Sequence, residues 1–220
     1  EWGERLIRDR ERILNQSIFR SLMSLAIPAI GSSLFIVVFE LVDMFWVGRL
    51  GPEPVAALAA ASFFVWLLRA VAQTVATGAL AVVARRAGEG DFAKVVDTAA
   101  GAILAACLFS GAVILVTAPA TLVVFQWMGL ADPIRLYARE YASIFLSGFL
   151  FVCVMVTGEH LIRGMGNTKL PMIISGVSLL FNAILDPVFI YLFHMGLAGA
   201  AYATMLAHCN RLREQGGVQE

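Results

Sequence analysis

Asp186 lies inside a long apolar run, four residues after Asn182 and directly before Pro187. Positions i and i+4 of a helix share a face, so the amide and the carboxyl lie on one side. Proline has no N–H, which deprives the carbonyl of Ala183 of its helical partner. It also pushes Asp186 away from ideal helix geometry. An acid, an amide and a freed carbonyl at one depth can hold a cation or take up a proton. The plainer alternative is a polar kink tied to neighbouring helices. A second acidic pair, Glu40 and Asp43, is spaced i,i+3 in another apolar run. Two carboxylates on one face resist carrying charge together. For Asp43 the plainer reading is exposure at an interface, because the Gly48–Gly51 turn is close. Arg69, in a third apolar run, is a plausible counter-charge for Glu40, and a structural ion pair is the simplest use for it. Pro28 frees the carbonyl of Ser24 and is either a hinge or an entry kink.

These groups are costly where they stand. The chain has 220 residues, of which 60% are hydrophobic and 15% charged, whereas an ordinary soluble domain is about 45–50% apolar and about 25% charged. The apolar excess is spread along the whole length, which identifies an integral membrane protein. A carboxylate at the centre of a bilayer costs at least ~2.5 kcal/mol, so such residues usually face a bundle interior or a wet cavity.

A spanning helix needs roughly 20 mostly apolar residues. Leu25–Gly48, Val55–Ala84, Thr98–Phe125, Tyr141–Gly158 and Leu170–Phe193 meet that need, and Met195–Ala207 is a shorter sixth run. The expected fold is all-α: a polytopic membrane protein made of one six-helix bundle with a truncated sixth helix. Residues 1–20 read as a cytoplasmic or interfacial leader, 21–208 as the transmembrane bundle and 209–220 as a polar tail. Gly and Pro punctuate every connection. Stretches such as AALAAAS (56–62) and TAAGAILAA (98–106) favour close helix packing. Five arginines of the leader, with Arg85, Arg86, Lys94, Arg163, Lys169, Arg211 and Arg213, fall on one side of the spans. Arg49, Arg135 and Arg139 fall on the other. That bias places the N-terminus in the cytoplasm.

Several classes are excluded or weakened. Formal net charge is zero and no basic patch with interleaved aromatics appears, so nucleic acid is not an expected partner. Cys107, Cys153 and Cys209 have no CxxC or disulfide spacing. His160, His194 and His208 lie near span ends without ligand spacing, and Glu159 with Arg163 reads as an i,i+4 salt bridge before a turn. No nucleophile elbow, P-loop or paired zinc motif is present. A non-enzyme without cofactor or structural metal is expected.

The segment PAIGSSLFIVVFELVDMFWVGRLGPEPVAALAAA (28–61) resembles the first helix and loop of the multidrug and toxic compound extrusion (MATE) family. IRGMGNTKLPM (162–172) resembles its fourth loop. FNAILDPVFIY (181–191) and GLAGAAYATMLA (196–207) resemble its fifth and sixth helices. The resemblance covers roughly residues 18–207, the N-terminal half of a twelve-helix fold made of two six-helix bundles. It implies a secondary antiporter, or its N-terminal half, in the cell (inner) membrane. Such a protein exports small organic molecules, often cationic or amphipathic, in exchange for protons or sodium. The branch it looks like is the DinF-like and archaeal one. There the resemblance implies a cation or proton site at Asp43, Asn182, Asp186 and Thr204, with Tyr141 beside it. Pro28 and Pro187 would be hinges, and Glu40 and Arg69 modulators. Glu40 departs from the pattern, which has an uncharged residue at that position, and the polar run HCNRLREQGGVQE (208–220) departs from an apolar sixth helix. The C-terminal bundle, or a second copy, is an implied partner alongside the bilayer. Two alternatives stand beside the antiporter: a non-transporting half-bundle or membrane partner protein, and a lipid-linked oligosaccharide flippase of the same superfamily.

Overall fold

The computed structural model describes residue 11 and residues 15–217. Of the expected leader, residues 1–10 and 12–14 fall outside the described residues, and Ile18, Phe19 and Arg20 already belong to the first helix. Among those described, the chain is a bundle of seven α-helices: α1 (Ile18–Gly48), α2 (Pro52–Glu89), α3 (Phe92–Trp127), α4 (Asp132–Ser147), α5 (Phe149–Gly164), α6 (Lys169–Pro187) and α7 (Gly196–Gly217). A single π-helical turn, Val188–Leu192, joins α6 to α7.

Local chemistry sets the ends. Pro52 opens α2, where its missing N–H costs nothing and its fixed φ suits the first turn. Gly90, at φ 80°, closes the same helix in the left-handed conformation that glycine adopts without penalty. Asp91 caps α3 by accepting from the Lys94 backbone N–H at 3.1 Å, and burial and packing do the rest.

Helices α1, α2 and α3, and α6 with its π turn, are each long and apolar enough to cross a membrane. The expected fourth span, Tyr141–Gly158, is not one straight helix. It is split at Gly148 into α4 and α5, which meet at 58° and together make a fifth candidate span. The residues at the break suit a bend and a close crossing. A Cβ on Gly148 would stand 2.1 Å from Cε of Met205 on α7, and the Ser147–Gly148 pair is a common site for a sharp bend. The sixth helix also differs from expectation. The polar stretch after His208 continues α7 as helix to Gly217, giving about 33 Å at 1.5 Å per residue. It does so because its polar residues are housed inside the bundle: Arg211 and Gln215 are buried.

Helix α2 is the central strut, packed against α3, α4 and α5. Its buried face is Ala57, Ala61, Phe64, Leu68, Ala72 and Ala76, and the alanines let neighbouring backbones come close. Helix α1 packs mainly on α6 and much less on α2 and α7. The α1–α6 seam closes at Gly31 against Met172 and at Gly176 against Phe35. That uneven packing leaves a space between α1 and α2. Leu104, Leu108, Leu115 and Val116 of α3 point outward, as a lipid-facing surface requires.

Candidate functional site

Asp43, Asn182, Asp186, Thr204 and Tyr141 are scattered over 162 positions of sequence and four helices, and the fold gathers them into one cluster. Asn182 Nδ2 donates to Asp186 Oδ1 at 3.1 Å, the i,i+4 contact that the spacing anticipates. Thr204 Oγ1 donates to Asp43 Oδ2 at 3.3 Å. Asp43 and Asp186 face each other within hydrogen-bonding range, with Asn182 also in reach of Asp43. Tyr141 lies beside Thr204, and both line the same cavity. Asp186 and Asn182 are fully buried, and Asp43 is 6% exposed, so the interface-exposed reading of Asp43 does not hold.

The cluster is short of positive charge. Oδ1 of Asp43, Oδ1 of Asn182 and Oδ2 of Asp186 are buried without a hydrogen-bond donor. Carboxylate oxygens have only acceptor capacity when ionised, so two that face each other need a proton or a cation between them. The donor set is carboxylate, amide and hydroxyl oxygen, hard ligands that suit an alkali cation and can equally hold a proton.

Backbone geometry fixes this arrangement. Pro187 ends α6, and the π turn follows at once. π-Helical turns inside helices frequently occur at functional sites. Tyr191 in that turn donates its hydroxyl to the Trp46 carbonyl at 2.7 Å, and the two rings meet edge-on at 6.2 Å. The turn is thereby pinned to α1 three residues beyond Asp43. Helix α7 crosses the same turn so closely that a Cβ on Gly199 would lie 2.7 Å from the Phe189 carbonyl carbon. No pattern in the sequence announces the Tyr191–Trp46 contact, because it joins residues 145 apart. Pro28, also buried, sits in an unbroken α1, and Ser32 Oγ donates to its carbonyl at 3.1 Å.

Asp43 and Thr204 also line a cavity of about 290 Å³ between α1, α2, α4 and α7. Its wall is largely apolar and aromatic, with Met44, Val65, Trp66 and Phe145, and it carries Glu40, Arg69 and Tyr141. Asp186 and Asn182 do not line it; they lie behind Asp43. The Glu40–Arg69 ion pair expected from sequence is absent: among the described residues, these two do not approach within the 4.0 Å of a salt bridge. They interact at longer range, and the Trp66 ring lies beside Glu40.

A second buried polar group was not legible in the sequence. Arg211 Nε lies 2.8 Å from Glu159 Oε1, while the anticipated Arg163–Glu159 pair is longer, at 3.8 Å. Arg211 also donates to Ser175 Oγ. His208 is buried nearby and stacks on Phe39, with ring centroids 6.0 Å apart. The signal that could have revealed it is the spacing of His208, Arg211 and Gln215 at i, i+3 and i+7, one face of a helix.

Comparison with known proteins agrees with this architecture. The MatE family model matches residues 28–188. A probable multidrug resistance protein, NorM, of Thermotoga maritima is 27% identical over 195 residues, 86% of this chain and 42% of its own. An FAD transporter of Shewanella oneidensis is 22% identical, over 91% of this chain and 45% of its own. A solved outward-facing structure of a multidrug resistance MATE family transporter of the MOP superfamily superposes with a TM-score of 0.87 at 27% identity, covering 93% of this chain and 46% of that one. A MOP superfamily transporter from Pyrococcus furiosus gives 0.86 at 27% identity, over 93% and 45%. The chain thus spans less than half the length of the relatives it matches.

Proposed function

Because the chain belongs to the MATE family, we propose that it forms the N-terminal bundle of a secondary antiporter that exports organic cations and amphipathic compounds in exchange for protons or sodium. The finer assignment is to the DinF-like and archaeal branch, on the strength of the Asp43, Asn182, Asp186, Thr204 and Tyr141 set. The observation that carries the reading is the double position of Asp43. Its side chain lines the open cavity and also faces Asp186 in the closed cluster. A cation in the cavity and a proton or sodium ion in the cluster therefore compete for the same carboxylate. Competition of that kind is what exchange transport requires, since an ion shifts a conformational equilibrium only by its differential affinity for the two states.

In this mechanism Asp43 and Asp186 hold the coupling ion. Asn182 and Thr204 orient the two carboxyls, and Tyr141 orients Thr204. Pro28 lets α1 bend where the Ser24 carbonyl lacks a helical N–H, and Pro187 with its π turn lets the end of α6 follow. Glu40 and Arg69 modulate the cavity. Alternating access needs a second half, supplied by a C-terminal bundle or by another copy. The protein sits in the inner membrane with its N-terminus in the cytoplasm.

The test is ethidium efflux from cells expressing the protein. Expression accelerates efflux, and collapsing the proton or sodium gradient removes the gain. Asp186→Asn, at equal membrane abundance, shows none. Efflux that is indifferent to both gradients would sink the antiport reading.

A further inference from the structure

Glu40 and Arg69 enter the same cavity from α1 and α2 and do not pair. The reason is architectural. Helix α1 is held by α6 and touches α2 only lightly, so the two charges are kept apart. Each has local support. Glu40 lies beside the Trp66 ring, and Arg69 feels Glu159 as well as Glu40 beyond salt-bridge range, opposed by Arg211. Both are half-buried. The wall between them is mostly apolar, and a charge beside such a wall is felt more strongly than in water. The cavity thus presents an acid and a base, separately, to whatever lies inside it.

We propose that Glu40 and Arg69 set the charge selectivity of this cavity, so that it favours a dipolar amphipath: a cationic group against Glu40 and a carboxylate or similar acceptor against Arg69. This rests on the cavity being the site of the organic ligand. It adds that Asp43 is not the cavity's sole recognition element. Glu40 reads the cation and Arg69 reads an acid on the same molecule. A simple monocation satisfies Glu40 and leaves Arg69 without a partner from the ligand.

A matched pair of dyes tests this. Rhodamine B carries a cationic ring system and a free carboxylate. Its ethyl ester keeps the cation and loses the acid. Equilibrium binding of each is measured by fluorescence anisotropy on the purified protein, without any ion gradient. The wild type binds rhodamine B about tenfold or more tighter than the ester, the size of one charge-assisted contact. Arg69→Gln brings that ratio close to one, and Arg69→Lys preserves much of it. Glu40→Gln weakens both dyes alike, by about tenfold, and leaves the ratio unchanged. A variant that was merely misfolded would lose both dyes without a selective change in ratio, and Arg69→Lys controls for this. Wild-type protein that binds both dyes equally, or Arg69→Gln that keeps the wild-type ratio, overturns the inference while leaving the antiporter reading intact. Failure of the wild type to bind either dye would overturn both.

Discussion

Replacing Gly199 with alanine probes how tightly the ion site is built. The new Cβ would lie 2.7 Å from the carbonyl carbon of Phe189, 2.8 Å from its oxygen and 2.9 Å from the nitrogen of Ile190. All three are backbone atoms of the π turn, and Tyr191 pins that turn to Trp46. The turn cannot swing aside as a side chain can. Helix α7 must shift instead, and overpacking of this kind costs about 3 kcal/mol, the upper end of its usual range. Gly111 is the control. It lies within α3, is exposed, and has nothing within 4 Å of an added Cβ. Both positions are helical, so both gain roughly 1 kcal/mol from the change in propensity, and the difference between them isolates packing. Gly148 sharpens the comparison. Its Cβ would come nearer still, 2.1 Å, but to the terminal methyl of Met205. A methionine can rotate away for about 1 kcal/mol. The order of stability is therefore Gly111→Ala, then Gly148→Ala, then Gly199→Ala. Thermal unfolding in detergent gives a melting temperature for Gly199→Ala about 6–12 °C below that of Gly111→Ala, at about 2–4 °C per kcal/mol. Gly199→Ala also weakens the Thr204–Asp43 contact, five residues along the same helix. If it melts with Gly111→Ala, or above Gly148→Ala, the close crossing of α7 over the π turn is wrong.

Other outcomes follow from the same structure. Arg211→Met leaves Glu159 buried without its tighter partner and lowers stability by about 3–5 kcal/mol; the added change Glu159→Gln restores most of it, read by melting temperature. Tyr191→Phe removes the donor to the Trp46 carbonyl and costs about 1 kcal/mol, with no change in the rhodamine B to ester ratio. Asp91 is held below the usual carboxylate range by the Lys94 ammonium, 2.5 Å away, and by the Lys94 backbone N–H. Its contribution is therefore complete above the unfolded carboxylate value of about 3.9 and is lost as pH falls through the lower folded value. Asp91→Asn keeps a capping oxygen and flattens that acid limb in a melting-temperature series against pH.

Much of the fold could be read from the sequence, for physical reasons that differ by element. Long apolar runs fix α1, α2 and α3, because a bilayer permits little else. Asn182 and Asp186 were legible as a pair because helical spacing is local. Their meeting with Asp43, Thr204 and Tyr141 was suggested by family resemblance alone, since no local rule brings four helices together. The break at Gly148 is not legible in the sequence, because Met205, the side chain packed against it, lies 57 positions away. The helical continuation beyond His208 escaped because polarity along the chain resembles a solvated tail when its buried partners, Glu159 and Ser175, are unseen. Glu40 and Arg69 read as a charge pair from the sequence, yet the light packing of α1 on α2 keeps them apart.

The most direct measurement is the displacement of the coupling ion by ligand. Tetraphenylphosphonium is added to the purified protein in weakly buffered solution, and released protons and released radioactive sodium are counted together. Wild-type protein releases one of the two on binding. Asp43→Asn and Asp186→Asn each release neither, while Glu40→Gln at saturating ligand releases as much as the wild type. If both aspartate variants release the ion as fully as the wild type does, the buried acid pair is not the coupling site.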